Sequence, residues 1–267
     1  MQDFRPKQRT ALVTGASGGI GLELARILAA NGHDLVIVGR NRELLETVGA
    51  DLRSAHHVSV RCDARDLARP HAASELWADL TAASVIVDVL VNNAGVGLYG
   101  ALDMQDSNHL ERMVELNVVT LTMLTRLALP GMRERRWGRV LNVASVVGYQ
   151  PGAPWMAAYY ATKSYVLSFS KGLARELDGS GASVTALCPG PTVSSFDDTA
   201  GADVNVLYRR LPKMTAAEVA RAGYDGMTRQ SLAVIPGVVT KILALAGEFP
   251  PRRIALEVNR WLWKRRA

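Results

Sequence analysis

Ala11-Leu12-Val13-Thr14-Gly15-Ala16-Ser17-Gly18-Gly19-Ile20-Gly21 decides how this chain folds. A short apolar run ends in a glycine-rich turn, and Leu22, Leu24, Ala25, Ile27 and Leu28 then recur at helical spacing. Strand, glycine turn and helix N-terminus in this order form an anion cradle. Backbone N–H groups and the helix dipole face one point, and the glycines let the backbone approach it. Outward from this stretch, strand-like runs near residues 10–14, 34–39, 57–62, 86–92, 139–145, 183–188 and 231–235 alternate with helical patterns. Such alternation predicts one α/β domain, doubly wound, with a mostly parallel seven-stranded sheet flanked by helices and right-handed crossovers. A ligand then lies outside the carboxyl ends of the strands. The chain has 267 residues, 48% of them hydrophobic and 21% charged, enough for one substantial core. It contains no internal repeat, low-complexity tract or interdomain linker.

The second strand-like run ends in Val38-Gly39-Arg40-Asn41-Arg42. A dinucleotide fold that reads a ribose 2′-hydroxyl has a carboxylate here. Arg40, with Arg42 close by, instead accommodates a 2′-phosphate and favours NADPH over NADH. Further along, Tyr159-Tyr160-Ala161-Thr162-Lys163 sets a phenol and an ammonium four residues apart, on one face of a helix. Free tyrosine has a pKa of about 10. A neighbouring cation favours the phenolate and makes the pair a usable acid/base near neutral pH. Tyr160 reads as a packing residue.

Further segments complete a pattern. Val91-Asn92-Asn93-Ala94-Gly95 closes an apolar run that begins near Val85, and Asn117 lies in a long helical stretch. Ser145 ends a strand-like run from Val140, and Pro189-Gly190-Pro191-Thr192 follows another from Val184 to Cys188. In this order the motifs TGxxxGxG, NNAG, N, S, YxxxK and PG(P)T closely resemble those of the short-chain dehydrogenase/reductase family, over roughly residues 9 to 195. The resemblance implies a single Rossmann-like domain and an oxidoreductase that moves a hydride to or from NAD(P). It implies Tyr159 as the general acid that protonates the carbonyl oxygen, and Lys163 as the group that holds the nicotinamide ribose and depresses the tyrosine pKa. Ser145 is implied on the substrate oxygen, and Asn117 as anchor of a water in a proton relay. Gly15, Ser17, Gly19, Ile20 and Gly21 are implied at the adenosine and pyrophosphate half, and Asp63 at the adenine. Asn93, Ala94 and Gly95 are implied along the cofactor, and Pro189, Gly190 and Thr192 at its nicotinamide end. Asn92 is expected to be structural. The loop between Ser145 and Tyr159, with Pro151 and Pro154, is one residue longer than the family's commonest spacing.

Substrate identity rests on the walls. A covering lid is expected at about 192–214, with Phe196, Val204, Val206, Leu207, Tyr208 and Leu211 as its apolar residues. Val96, Leu98, Tyr99, Val146, Val147, Trp155 and Met156 lie in loops at the same sheet edge, which suits a ketone, aldehyde or alcohol with a hydrophobic body. Asp197, Asp198 and Asp203 argue mildly against a highly anionic one. The alternative to an enzyme is a catalytically silent dinucleotide-binding sensor or interaction protein; the complete set of Asn117, Ser145, Tyr159 and Lys163 argues against it.

The net charge is +6, but no basic groove interleaved with aromatics is visible, so no nucleic acid is expected. Arg133, Arg135 and Arg136 read as capping the end of a long helix. The five histidines make no convincing metal set, and no metal is expected. Cys62 and Cys188 fall on distant strands and are expected to stay reduced, in a cytoplasmic setting. Met1 to Lys7 lacks the apolar core of a signal peptide. No run of roughly 20 apolar residues suggests a transmembrane segment. The glycine-rich ending of many tetrameric relatives is missing, so a homo-oligomer, a dimer, is expected. A C-terminal extension at about 238–267 is basic and carries Trp261, Leu262 and Trp263. Such a helix suits packing on the domain, on a partner subunit or, as a peripheral contact, on a membrane. Its pattern resembles a bacterial subgroup of the family and, more distantly, reductases of long acyl or steroid ketones.

Overall fold

Strand β1 (Thr10–Thr14) and strand β2 (Asp34–Gly39) are nearly unbroken apolar runs because both faces of their sheet are covered. The computed structural model describes residues 9–193, 212–249 and 251–262. After β1 come α1 (Gly19–Ala30), β2, α2 (Arg42–His56), β3 (Val60–Ala64), α3 (Ala72–Ala82) and β4 (Val89–Asn92). Helix α4 (Ser107–Val114), a π-helical turn (Glu115–Thr120) and α5 (Leu121–Glu134) run on without a break to β5 (Gly138–Val143). A 3₁₀ turn (Val146–Tyr149), α6 (Ala157–Glu176) and β6 (Ala182–Leu187) follow. A small pair, β7 (Thr192–Val193) and β8 (Met214–Thr215), precedes α7 (Ala216–Thr228), β9 (Ala233–Val234), α8 (Val238–Glu248) and α9 (Arg252–Leu262).

The main sheet has the order β3-β2-β1-β4-β5-β6-β9, with every neighbouring pair parallel. Alternate residues of each strand enter opposite layers. Ala11 and Val13 pack with Leu24 and Leu28 of α1 and Val219 of α7, while Leu12 packs with Leu76 of α3, Leu124 of α5 and Leu173 of α6. Strand order reverses between β1 and β4, which opens a crevice at their carboxyl ends.

Several expectations shift. β3 runs through Asp63 rather than ending before it, and β5 stops at Val143, so Ser145 begins the 3₁₀ turn. Arg135 is the C-cap residue of α5, and the N–H groups of Arg135 and Arg136 bond its last carbonyls, but both side chains turn to other segments. Arg135 pairs with Asp88 at 3.3 Å and donates to the Val87 carbonyl, and Arg136 donates to the Gly179 carbonyl. The helical run Ser107–Glu134 is long and apolar enough to cross a bilayer by length and composition only, as a core helix can be. Here Met113, Leu121, Leu124, Ala128 and Met132 bury one side of it inside the domain. The apolar and acidic lid residues from Phe196 to Leu211, and Trp263, lie outside the described residues. Cys62 and Cys188 are free thiols.

Candidate active site

Thr14 closes β1 and holds the crevice together. Its hydroxyl donates to the Val91 carbonyl at 3.3 Å and accepts from the N–H groups of Asn93 and Ala94, each at 3.0 Å. The Asn93 amide then donates to the carbonyls of Thr14 (2.9 Å) and Gly15 (3.1 Å). Gly15 turns the chain at φ +66°, where a Cβ would sit 2.8 Å from the Asn93 amide nitrogen. At Gly21 a Cβ would run into the Gly15 carbonyl, so this glycine seats α1 against the turn and does not line the crevice. Gly18 offers α1 no side-chain cap and the first turn has no acidic residue. The dipole and N–H groups at that end are left for an anionic ligand.

Asn117 lies in the π-helical turn, an arrangement that bulges the helix locally. It is buried and grips Val96 at both ends: the Val96 N–H donates to Oδ1 at 3.0 Å, and Nδ2 donates to the Val96 carbonyl at 2.9 Å. Nδ2 also donates to Thr162 Oγ1 at 3.1 Å, and Thr162 in turn donates to the Tyr159 carbonyl. Thus the loop after β4 is joined to the turn of α6 that carries Tyr159 and Lys163.

Lys163 is buried, and its ammonium donates to the Val143 carbonyl at 2.9 Å. Burial, only slightly offset by its surroundings, pulls its pKa down to about 8. Its Nζ is 6.0 Å from the Tyr159 ring centroid, on the shared helical face that the spacing predicted. Ser145 Oγ accepts from the Val147 N–H at 3.3 Å and lies 3.5 Å from the Pro189 carbonyl. The loop to Tyr159 accommodates its length with Gly152 at φ +135° and Trp155 at φ +65°. Around Tyr159 gather Val96, Leu98, Tyr99, Val147, Trp155 and Met156, six of the seven expected wall residues; Val146 is buried elsewhere.

These groups converge on one cleft of about 350 Å³. Its lining brings together Gly15, Ser17, Gly19, Ile20 and Arg40 from the first two βα turns, Asn93, Ala94 and Gly95 after β4, and Ser145, Tyr159, Lys163, Pro189, Gly190 and Thr192. Asn117 stands behind this wall: a Cβ on Gly95 would lie 3.1 Å from its Oδ1 and 3.5 Å from Lys163 Nζ. Asp63 does not line the cleft, because its carboxylate is held by Arg65 at 3.0 Å. A second cavity of about 370 Å³ adjoins at Arg40 and adds Arg65, Asp66, Leu67, Ala68 and Arg112. The sequence reading missed these five, as well as Thr14 and Thr162. Asp66, three residues past the residue that it chose, forms an ion pair with Arg112 at 2.6 Å. Asn92 is structural, as expected, donating to Thr125 and Asn142 inside the core. Among the described residues no group of three or more His, Cys, Asp or Glu could hold a metal ion.

The glycine turn, the uncapped helix end and the buried lysine fit a dinucleotide with a phosphate bridge and a hydroxyl-bearing ribose. The family model described as short chain dehydrogenase matches residues 9–205. The chain belongs to the short-chain dehydrogenase family. A solved short-chain dehydrogenase from Sphingobium yanoikuyae, in complex with NADPH, is 34% identical, with a TM-score of 0.80 over 90% of this chain and 92% of that one. The bulky-bulky ketone specific alcohol dehydrogenase of Comamonas testosteroni is 31% identical, with a TM-score of 0.75 over 87% and 88% of the two chains. The 3-oxoacyl-[acyl-carrier-protein] reductase of Rickettsia bellii is 32% identical over 78% of this chain and 83% of its own. This short-chain dehydrogenase is therefore an NAD(P)-dependent oxidoreductase.

Proposed function

We propose that this short-chain dehydrogenase is an NADPH-dependent reductase of hydrophobic ketones or aldehydes, reversible as an alcohol dehydrogenase. The observation that carries the reading is the meeting of Ser145, Tyr159 and Lys163 in the same cleft as the glycine turn. A nicotinamide dinucleotide bound there supplies or accepts the hydride. In reduction Tyr159 gives its phenolic proton to the carbonyl oxygen, and the Ser145 hydroxyl donates to the same oxygen as negative charge develops on it. Lys163 stands beside Tyr159 as an ammonium, favours the phenolate and so lowers the barrier to proton release. Asn117 fixes the backbone of Val96 and the turn of α6, which holds the acid in place and can anchor a water toward Lys163.

Arg40 supports NADPH as the cofactor. It rims both cavities, forms no ion pair among the described residues and has no carboxylate beside it in sequence. The apolar wall around Tyr159 supports a substrate with a hydrophobic body, in keeping with the ketone specificity named for the Comamonas testosteroni relative. The same reading takes the protein as a homodimer in a reducing cytoplasm. Purified protein, offered NADPH and NADH with a panel of hydrophobic ketones, is expected to consume NADPH by nicotinamide absorbance. Tyr159→Phe is expected to lower kcat by about 10²-fold or more while the thermal melt is retained. Equal turnover by that variant rejects the mechanism.

A further inference from the structure

We propose that the outward face of helices α8 and α9 docks on an anionic lipid surface. Helix α8 is packed the wrong way round for an ordinary surface helix. Toward the domain α8 turns Thr240, Ala244 and Gly247, all small and all buried. Away from it, on the opposite arc, it turns Val238, Ile242, Leu245 and Phe249, which are 53 to 77% exposed. Their spacing of four, three and four residues makes one continuous stripe. α9 buries Ala255 and Asn259, leaves Ile254 and Val258 about half exposed on one flank, and turns Arg253, Glu257 and Arg260 to the opposite side.

The inward contacts hold the pair in this orientation. Asn259 donates to the Gly152 carbonyl at 2.7 Å and to Gln150 Oε1 at 3.3 Å, and Gln150 donates to the Leu243 carbonyl of α8. A Cβ on Gly247 would collide with Gln150 and the Tyr149 carbonyl, so α8 cannot roll its large side chains inward without losing this seat.

Charge selects the occupant. Residues 238–267 hold seven lysines and arginines against two glutamates, five of the six net positive charges of the whole chain. A symmetric contact with a second copy would oppose two such surfaces and leave their charges unpaired. An apolar stripe flanked by cations fits anionic headgroups, with the side chains reaching the acyl boundary. At 11 residues each, α8 and α9 are too short to span and would lie in the interface plane.

The test is vesicle flotation of the full chain with phosphatidylcholine alone and with phosphatidylcholine mixed with phosphatidylglycerol. The expected result is binding to the mixed vesicles about tenfold or more tighter than to the neutral ones. Ile242→Glu with Phe249→Glu should abolish it at an unchanged melting temperature, both side chains being exposed. Failure to float with mixed vesicles, or equal flotation of the double variant, overturns the proposal. So does self-association of the wild type, lost in the double variant, without lipid binding, which would assign the face to a second copy.

Discussion

The ammonium of Lys163 donates to the Val143 carbonyl, 2.9 Å away, at the carboxyl end of β5, and no carboxylate accompanies it there among the described residues. Burial draws its pKa from 10.5 to about 8. The unfolded chain therefore binds this proton more tightly than the folded one. The cost to folding is complete below about pH 8 and fades as the pH rises toward 10.5. With about 1.4 kcal/mol per unit, it is on the order of 3 kcal/mol. Lys163→Met is thus expected to abolish turnover and yet stabilise the ligand-free protein by about 1–3 kcal/mol at pH 7, allowing for the lost hydrogen bond. Urea titrations at pH 7 and near pH 10 check the sign: the advantage must shrink at the higher pH.

Arg40 stands where the two cavities meet. Arg40→Asp is expected to weaken NADPH binding by about 10- to 100-fold, the worth of a charge-assisted contact, with little change for NADH. Fluorescence titration with both nucleotides measures it. Equal affinities before and after would show that the guanidinium does not meet the 2′-phosphate.

Removal of the Asn117 amide strands both polar groups of Val96. Asn117→Ala is expected to cost about 2–4 kcal/mol in stability, because three hydrogen bonds, to the Val96 N–H, the Val96 carbonyl and Thr162, are lost together. Thr162→Val cuts only the branch toward α6 and should cost about 1 kcal/mol. Paired denaturation curves separate the two effects, and a larger loss for Thr162→Val would contradict the described network.

Asn259 braces the loop between Ser145 and Tyr159 from outside the cleft. Asn259→Ala is expected to lower kcat several-fold while the KM for NADPH stays the same, with about 1 kcal/mol lost in stability. Steady-state kinetics that vary each substrate in turn decide this. An unchanged kcat would mean that the loop holds its shape unaided.

The fold and the centre of the site were legible because they rest on short-range patterns. Apolar strand-like runs separated by helical runs allow few topologies, and Gly15, Tyr159 and Lys163 are spaced by local geometry alone. What stayed hidden depends on contacts across the sheet. Thr14 joins residues nearly eighty positions apart, and nothing in its neighbours distinguishes it from any strand-ending threonine. The π-helical turn at Asn117 cannot be seen in a pattern of apolar spacing. Asp66 and Arg112 meet only because α4 passes over the end of β3. The side chains of Arg135 and Arg136 were hidden for the same reason, since their partners at Asp88 and Gly179 come from other segments. In α8 the rule itself inverts: an apolar stripe ordinarily marks the core face, but here the small residues win that side.

The cleft-lining residues all fall between Gly15 and Thr192, whereas Asn259 and the α8 carbonyl that braces the loop come after residue 238. Every cleft-lining residue is therefore synthesised before the helices that brace the Ser145–Tyr159 loop, and the brace on the acid is the last part of the site to be made.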